Sequence, residues 1–323
     1  MTVHTLSPGR SCPLHYRYGP AALNVPAPDQ LRGLDVLYVV GGLYGNDLAL
    51  ERIVTLFDGE AGRKRLVFNG DFHWFDIDQN VFTRVQNTVL DHIATRGNVE
   101  TELCSETQGG DAGCGCAYPD WVADGVVERS NRILARLRRT VTPRQRQQLA
   151  ALPMWLRAEV GDLRVAVVHG DAQSLAGWSF AQEHLRDANH LDSVNPWFEA
   201  AGADAFACSH TCLPVFQELR SGNDAASRWV LNNGAAGMPN FEGDHAGLLT
   251  RIALSPAPSS GVSRFGLRRG EVFIDAMAVD VEREAARRRF LAQWPSGSDA
   301  HLSYFERIDS GPRYGVHEAL RTM

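Results

Sequence analysis

No segment of this 323-residue chain stays apolar for the ~20 consecutive residues that a membrane helix needs. The first thirty residues hold Pro8, Pro13, Pro20, Pro26 and Pro28 and no apolar run, so the hydrophobic core of a secretory signal is missing too. The expected compartment is the cytoplasm, with no membrane partner. Basic residues are not in excess: 32 Lys and Arg stand against 38 Asp and Glu, a formal net charge of −6. That balance argues against general binding of nucleic acid, while leaving room for a local cationic pocket. In a reducing compartment Cys12, Cys104, Cys114, Cys116, Cys208 and Cys212 are expected as thiols or ligands rather than structural disulfides. Cys114-Gly115-Cys116 is shorter than the Cys-x₂₋₄-Cys spacing of closed zinc sites. There is no internal repeat.

A hydrophobic share of 44% and a charged share of 22% are those of an ordinary globular protein with a sizeable core. Residues 1–33, rich in proline and aperiodic, read as an N-terminal arm. From there strands and helices alternate. Val36 to Val40 is a buried strand, Leu48 to Phe57 a helix, Leu66 to Phe68 a strand and Val81 to Ile93 a helix that stops at Gly97. This order means βαβ units and a largely parallel sheet.

Residues 101–118 form a Cys- and Gly-rich insertion, with Gly109, Gly110, Gly113 and Gly115 marking a loop. Asp120 to Leu137 is helical, and Thr142-Pro143 opens a further short helix. Trp155 to Val160 and Leu163 to Val168 make a hairpin across Gly161-Asp162. Further strands follow at Ala205 to Cys208, Val215 to Leu219, Trp229 to Leu231, Leu248 to Leu254 and Val272 to Ala276. Residues 282–293 are helical, and the tail 296–323 reads as loop-rich. The expected fold is α/β: one domain over 34–295, two packed mixed β-sheets flanked by helices.

Four short motifs carry chemistry, most of them after an apolar run: Asn69-Gly70-Asp71, Gly97-Asn98-Val99-Glu100, His169-Gly170-Asp171 and Ser209-His210-Thr211-Cys212. Oxygen and imidazole donors at the ends of buried strands converge on one rim of a sheet, which is how an α/β protein builds a metal site. Singly, each has a plainer reading. Asp71 can cap a helix, Asn98 can end one, and His169 and His210 can be satisfied core residues.

In order and wording the set resembles the calcineurin-like metallophosphoesterase superfamily, nearest to its small bacterial phosphodiesterases. The resemblance runs from about Leu34 to about Asp280 and includes Asn232-Asn233-Gly234-Ala235-Ala236-Gly237-Met238-Pro239. It implies the four-layer sandwich of that family. It also implies hydrolysis of a phosphomonoester or phosphodiester by metal-activated water, with a small phosphorylated substrate. Asp71, Asn98, His169 and His210 match the family's second metal position, and Asp71, Asn98 and His169 would serve catalysis. The first position does not match: the family's Asp-x-His-Gly-Asn is here Gly42-Leu43-Tyr44-Gly45-Asn46, and the second histidine of Gly-His-Thr-His is Cys212. The catalytic histidine of Gly-Asn-His is Val99, which argues for leaving groups that need little protonation.

One or two ions per chain are therefore expected, with Mn, Fe, Zn or Ni all compatible with the donors. In the rebuilt form Cys212 is a thiolate ligand. Asn46, beginning a helix, and Arg96 are the expected phosphate contacts, though Arg96 also suits a helix C-terminus. Tyr44 as a phenolate and His73 turned inward are further candidate donors of that rebuilt form; otherwise Tyr44 packs or touches substrate, and His73 is an exposed loop residue or touches substrate. The alternative is a catalytically reduced protein on the same fold, holding one metal for binding or sensing. Oligomeric state is open.

Overall fold

The structure, a computed structural model, describes residues 8–105, 112–220, 227–258 and 262–322. In chain order β1 (Val36–Val40), α1 (Asp47–Asp58), β2 (Lys64–Asn69), α2 (Gln79–Leu90), β3 (Ile93–Thr95) and α3 (Asn98–Cys104) come first. Then follow α4 (Asp124–Leu137), α5 (Pro143–Ala150), β4 (Trp155–Val160), β5 (Leu163–Val168), α6 (Ala188–Val194) and α7 (Pro196–Ala201). The chain continues through β6 (Ala205–Cys208), β7 (Val215–Arg220), β8 (Ser227–Asn232), β9 (Gly247–Ala253), β10 (Ser263–Arg269) and β11 (Val272–Val279). α8 (Arg283–Gln293), α9 (Asp299–Ser310) and β12 (Leu320–Arg321) close it.

Side-chain alternation along the strands decides the layering. In β1, Leu37 and Val39 face Val165, Val167 and Ala207 of the opposing sheet. Val36, Tyr38 and Val40 face the other way, into a core shared with Leu50 and Ile53 of α1 and Phe82 and Val85 of α2. In the second sheet Ala166, Val168 and Phe206 turn outward onto Phe198, Val194 and Leu185. Both faces of the central strands are covered, so they read as continuous apolar runs rather than alternating ones. The result is helix, sheet, sheet, helix: two mixed six-stranded sheets, ordered β10-β11-β9-β1-β2-β3 and β12-β7-β8-β6-β5-β4.

β1, β2 and β3 are parallel, as are β5, β6 and β8. Their C-terminal ends form one rim. Asn69 ties the two sheets there: its Nδ2 donates to Val168 O at 2.7 Å and its Oδ1 accepts from Thr95 Oγ1 at 3.1 Å. No helix among the described residues is long and apolar enough to cross a membrane.

Several sequence expectations change. The helix read to Ile93 ends at Leu90, and Ile93–Thr95 is instead a parallel strand on β2; tertiary pairing overrides a weak helical pattern in three residues. Asn98 does not end a helix but begins α3, with Gly97 as its N-cap. Residues 101–104, read as loop, belong to that helix, while Gly109 and Gly110 lie outside the described residues. The tail is not loop-rich, because α9 occupies Asp299–Ser310. α6, α7, β10 and β12 have no counterpart in the sequence reading.

Candidate metal centre

Tight turns bring the motif residues to the rim. Gly70 has φ +71°, and a Cβ there would lie 2.4 Å from Gly97 N and 2.8 Å from His169 Nδ1. A Cβ on Gly97 would meet Asp71 Oδ1 at 2.3 Å. The two loops approach because both residues lack side chains. Asp71, Tyr44, Cys212 and Ala117 are, among the described residues, the non-glycine residues with positive φ. Asp71, Tyr44 and Cys212 line one cavity, and Ala117 follows another lining residue, Cys116. Left-handed backbone costs a non-glycine residue roughly 1–2 kcal/mol, and such strain gathers at functional sites.

Glu100 holds the loops together. Fully buried, its carboxylate accepts from Asp71 N at 2.7 Å, Gly97 N at 2.9 Å and His73 N at 3.2 Å. Burial, then the Asp71 charge, push its pKa up. Replacing Glu100 with alanine strands these buried amides at about 1–3 kcal/mol each. We expect Glu100→Ala to lower both the melting temperature and, by roughly 10- to 100-fold, metal affinity. A variant that melts lower yet binds metal at full strength would contradict the positioning role.

Four donor atoms meet at the centre. His169 Nε2 lies 3.2 Å from Asp71 Oδ2, 3.2 Å from Asn98 Oδ1 and 3.3 Å from His210 Nδ1. Asp71, His169 and His210 have ligand atoms all within 4.8 Å of one another. The far side of each donor fixes its orientation. His169 Nδ1 is 2.9 Å from Asn69 O and His210 Nε2 is 3.0 Å from Cys116 O. A carbonyl only accepts, so those nitrogens carry the protons and the facing nitrogens carry lone pairs. Asn98 Nδ2 donates to Cys114 O at 3.0 Å, which turns its oxygen inward.

Four acceptors this close repel unless a cation or a proton sits among them. The 3.2–3.3 Å separations of His169 Nε2 from the other three donor atoms are those of neighbouring ligands on one small cation. A backbone carbonyl on the outer imidazole N–H is the usual support of a ligating histidine. The residues fit a divalent metal ion. With only protons available, burial opposes ionisation of both His169 and Asp71, but each overturns it in the other. His169 is held above its usual pKa and Asp71 below. Burial and the His169 charge push His210 down to about 4.

Gly42, Tyr44 and Cys212, the residues that depart from the resembled motifs, lie together. A Cβ on Gly42 would lie 2.9–3.0 Å from the Tyr44 ring. Tyr44 Oη and Cys212 Sγ are 2.7 Å apart, and Cys212 Sγ donates to His210 O at 3.3 Å. Burial raises the pKa of both groups, so they stay protonated at neutral pH. Among the described residues Cys212 stands outside the Asp71–His169–His210 group, and its sulfur faces Tyr44 Oη instead.

Other expected contacts are also placed elsewhere. His73 is fully buried against Phe82, ring centroids 3.7 Å apart, with Nδ1 2.5 Å from Asp76 Oδ2. It does not line the cavity at the centre. Arg96 reaches Ala150 O at 3.4 Å, away from the centre. Asn46 caps α1, accepting from Ala49 N at 3.1 Å and donating to Gly237 O at 2.9 Å.

The centre opens into a cavity of about 260 Å³ walled by Trp74, Val99, Tyr118, Trp178, Tyr304 and Arg307, among others. Ser303, Tyr304 and Arg307 come from one face of α9, at helical spacing. Sequence reasoning missed them. The available signal was Ser298 as N-cap, Asp299 in the first turn and Gly311 just past the end.

Comparisons with known proteins bear on the fold. No protein-family model matches the chain, and no curated protein does. Among solved structures, a metallophosphoesterase from Sphaerobacter thermophilus superposes with a TM-score of 0.55 at 15% identity, covering 86% of this chain and 100% of that one. A hypothetical protein from Pyrococcus horikoshii OT3 superposes with a TM-score of 0.55 at 13% identity, covering 86% and 99%. The chain shares its fold with that metallophosphoesterase. At these identities the likeness concerns the fold alone. What the metallophosphoesterase scaffold does here must be argued from the site.

Proposed function

We propose that this chain is a one-ion metallophosphoesterase acting on a small phosphomonoester or phosphodiester. The observation that carries the reading is the convergence of Asp71, Asn98, His169 and His210 within 3.2–3.3 Å steps at the mouth of a cavity. A divalent ion bound there supplies a water of lowered pKa and positive charge beside the phosphoryl group. The donor set suits Mn, Fe, Zn or Ni. The chain's own residues do the rest. Asn69 O and Cys116 O hold the two imidazoles in register. Trp74, Trp178 and Tyr304 exclude water and offer flat apolar faces to a substrate. Val99, which also lines the cavity, cannot protonate a leaving group, so the reaction favours groups that depart as stable anions.

The test uses chain stripped of metal with chelator and reloaded with each of the four ions. Hydrolysis of aryl phosphate mono- and diesters is expected with at least one ion. Alkyl phosphates should be slower by about 100-fold or more, the lower end of what a general acid contributes. Equal rates on the two classes would contradict the role given to Val99. A second reading has its own support in the Tyr44 ring that closes on Gly42: a protein that binds one metal and a phosphorylated ligand without turnover. Tight ligand binding with no hydrolysis under any ion would favour it.

A further inference from the structure

Tyr44, Cys212 and Arg307 form a chain of contacts on the Asp71 side of the centre. Tyr44 N–H donates to Asp71 O at 3.1 Å, which sets the two residues side by side. Tyr44 Oη reaches Cys212 Sγ at 2.7 Å, and Arg307 Nη2 donates to Cys212 O at 2.7 Å. Arg307 Nε donates to Pro239 O at 3.0 Å. Two carbonyls thus use two of the five guanidinium N–H groups. Among the described residues no carboxylate pairs with Arg307, whereas Arg251 and Arg264 are each paired with two. Arg307, Tyr44 and Cys212 line the same cavity as Asp71, Asn98 and His210.

A two-ion phosphoesterase clamps the phosphoryl group between two positive charges. Here the second charge has no donors to hold it: Gly42 offers none, and the Tyr44 ring takes its space. A fixed cation stands beside that space instead. An arginine fork matches phosphate oxygens in pairs. The Tyr44 hydroxyl rests on a sulfur, a weak acceptor, and a phosphoryl oxygen is a much stronger partner for it.

We propose that the Arg307 guanidinium and the Tyr44 hydroxyl bind the phosphoryl oxygens at the place of a second metal ion. The centre then works with one ion and an arginine–tyrosine clamp, and α9 completes the site. This rests on the phosphoesterase reading above.

The test is calorimetry on the 323-residue chain, stripped and then titrated with Mn²⁺ alone, followed by inorganic phosphate on the Mn²⁺-loaded protein. Wild type, Arg307→Ala, Arg307→Gln and Tyr44→Phe are compared, each with a thermal melt. One Mn²⁺ per chain is expected throughout, with its affinity unchanged. Phosphate affinity should fall about 10- to 100-fold in both Arg307 variants, the range of charge-assisted hydrogen bonds, and several-fold in Tyr44→Phe. Arg307→Gln keeps donors for the two carbonyls, and Tyr44→Phe removes one oxygen, so both guard against a fold defect in Arg307→Ala. Two ions per chain would overturn the proposal, as would unchanged phosphate affinity in the folded variants. Failure of the Mn²⁺-loaded wild type to bind phosphate at all would instead remove the phosphoesterase reading on which the clamp rests.

Discussion

His169→Ala is expected to lower metal affinity by at least about 100-fold and to abolish metal-dependent hydrolysis. Changes to groups that merely support a ligand cost 10- to 100-fold, and His169 is itself a donor. It is also the hub, since its Nε2 sits 3.2 Å from both Asp71 and Asn98 and 3.3 Å from His210. Without the imidazole the remaining three donors surround a gap. The dependence on pH follows from the same contacts. Asp71 holds the His169 pKa above its usual value against burial, and a proton on Nε2 competes with the ion. Apparent metal affinity in the wild type therefore falls as pH drops through the His169 pKa and levels off above it. In His169→Ala that part of the pH dependence disappears. Calorimetry at three or four pH values reads both effects, and near-wild-type binding by the variant would remove His169 from the centre.

The strands that build the rim were legible because each is a short apolar run, and β2, β5 and β6 lead into Asp71, His169 and His210. Val36–Val40, Val165–Val168 and Ala205–Cys208 are buried throughout, so composition alone marks them. Asp71, His169 and His210 were legible for the same reason. β3 was not, because three residues carry too little periodicity to oppose a preceding helix.

What surrounds the centre was harder to read. His73 stands two residues beyond Asp71, yet its ring stacks on Phe82 inside the core. No spacing rule says which way a loop side chain turns. Arg307 lies 95 residues beyond Cys212, whose carbonyl it holds. Its α9 carries mixed polar and apolar residues whose meaning depends on the cavity it covers. The fate of Gly42, Tyr44 and Cys212 turned on packing: the Tyr44 ring closes over Gly42, which a sequence of donors cannot express.

The largest effect on stability is expected from Glu60→Ala, a loss of about 3–5 kcal/mol. Arg251 on β9 is fully buried and pairs in register with Tyr38 of β1. Glu60 reaches it from beyond α1 with two bonds, Oε1 to Nε at 2.6 Å and Oε2 to Nη2 at 3.1 Å. Tyr38 Oη donates to the same carboxylate at 2.7 Å. Among the described residues, alanine would leave a buried guanidinium with only Asp275, at 3.3 Å, as a charged partner. Burial by itself would raise the Glu60 pKa, but the Arg251 and Tyr38 hydrogen bonds turn the balance and hold it below the usual carboxylate value. A carboxylate with a lowered folded pKa stabilises fully above its unfolded value of about 4.3. That contribution is lost as pH falls through the folded pKa. The gap between wild type and Glu60→Ala should therefore be wide at neutral pH and narrower at about pH 3, below the unfolded value. Denaturant melts at the two pH values measure it. A gap that does not change with pH would mean that the loss comes from packing around the removed side chain and not from its charge. Because Glu60 contacts none of the four donors, metal stoichiometry in the folded variant should stay that of the wild type. That separates the support of β1 and β9 from the chemistry at the rim.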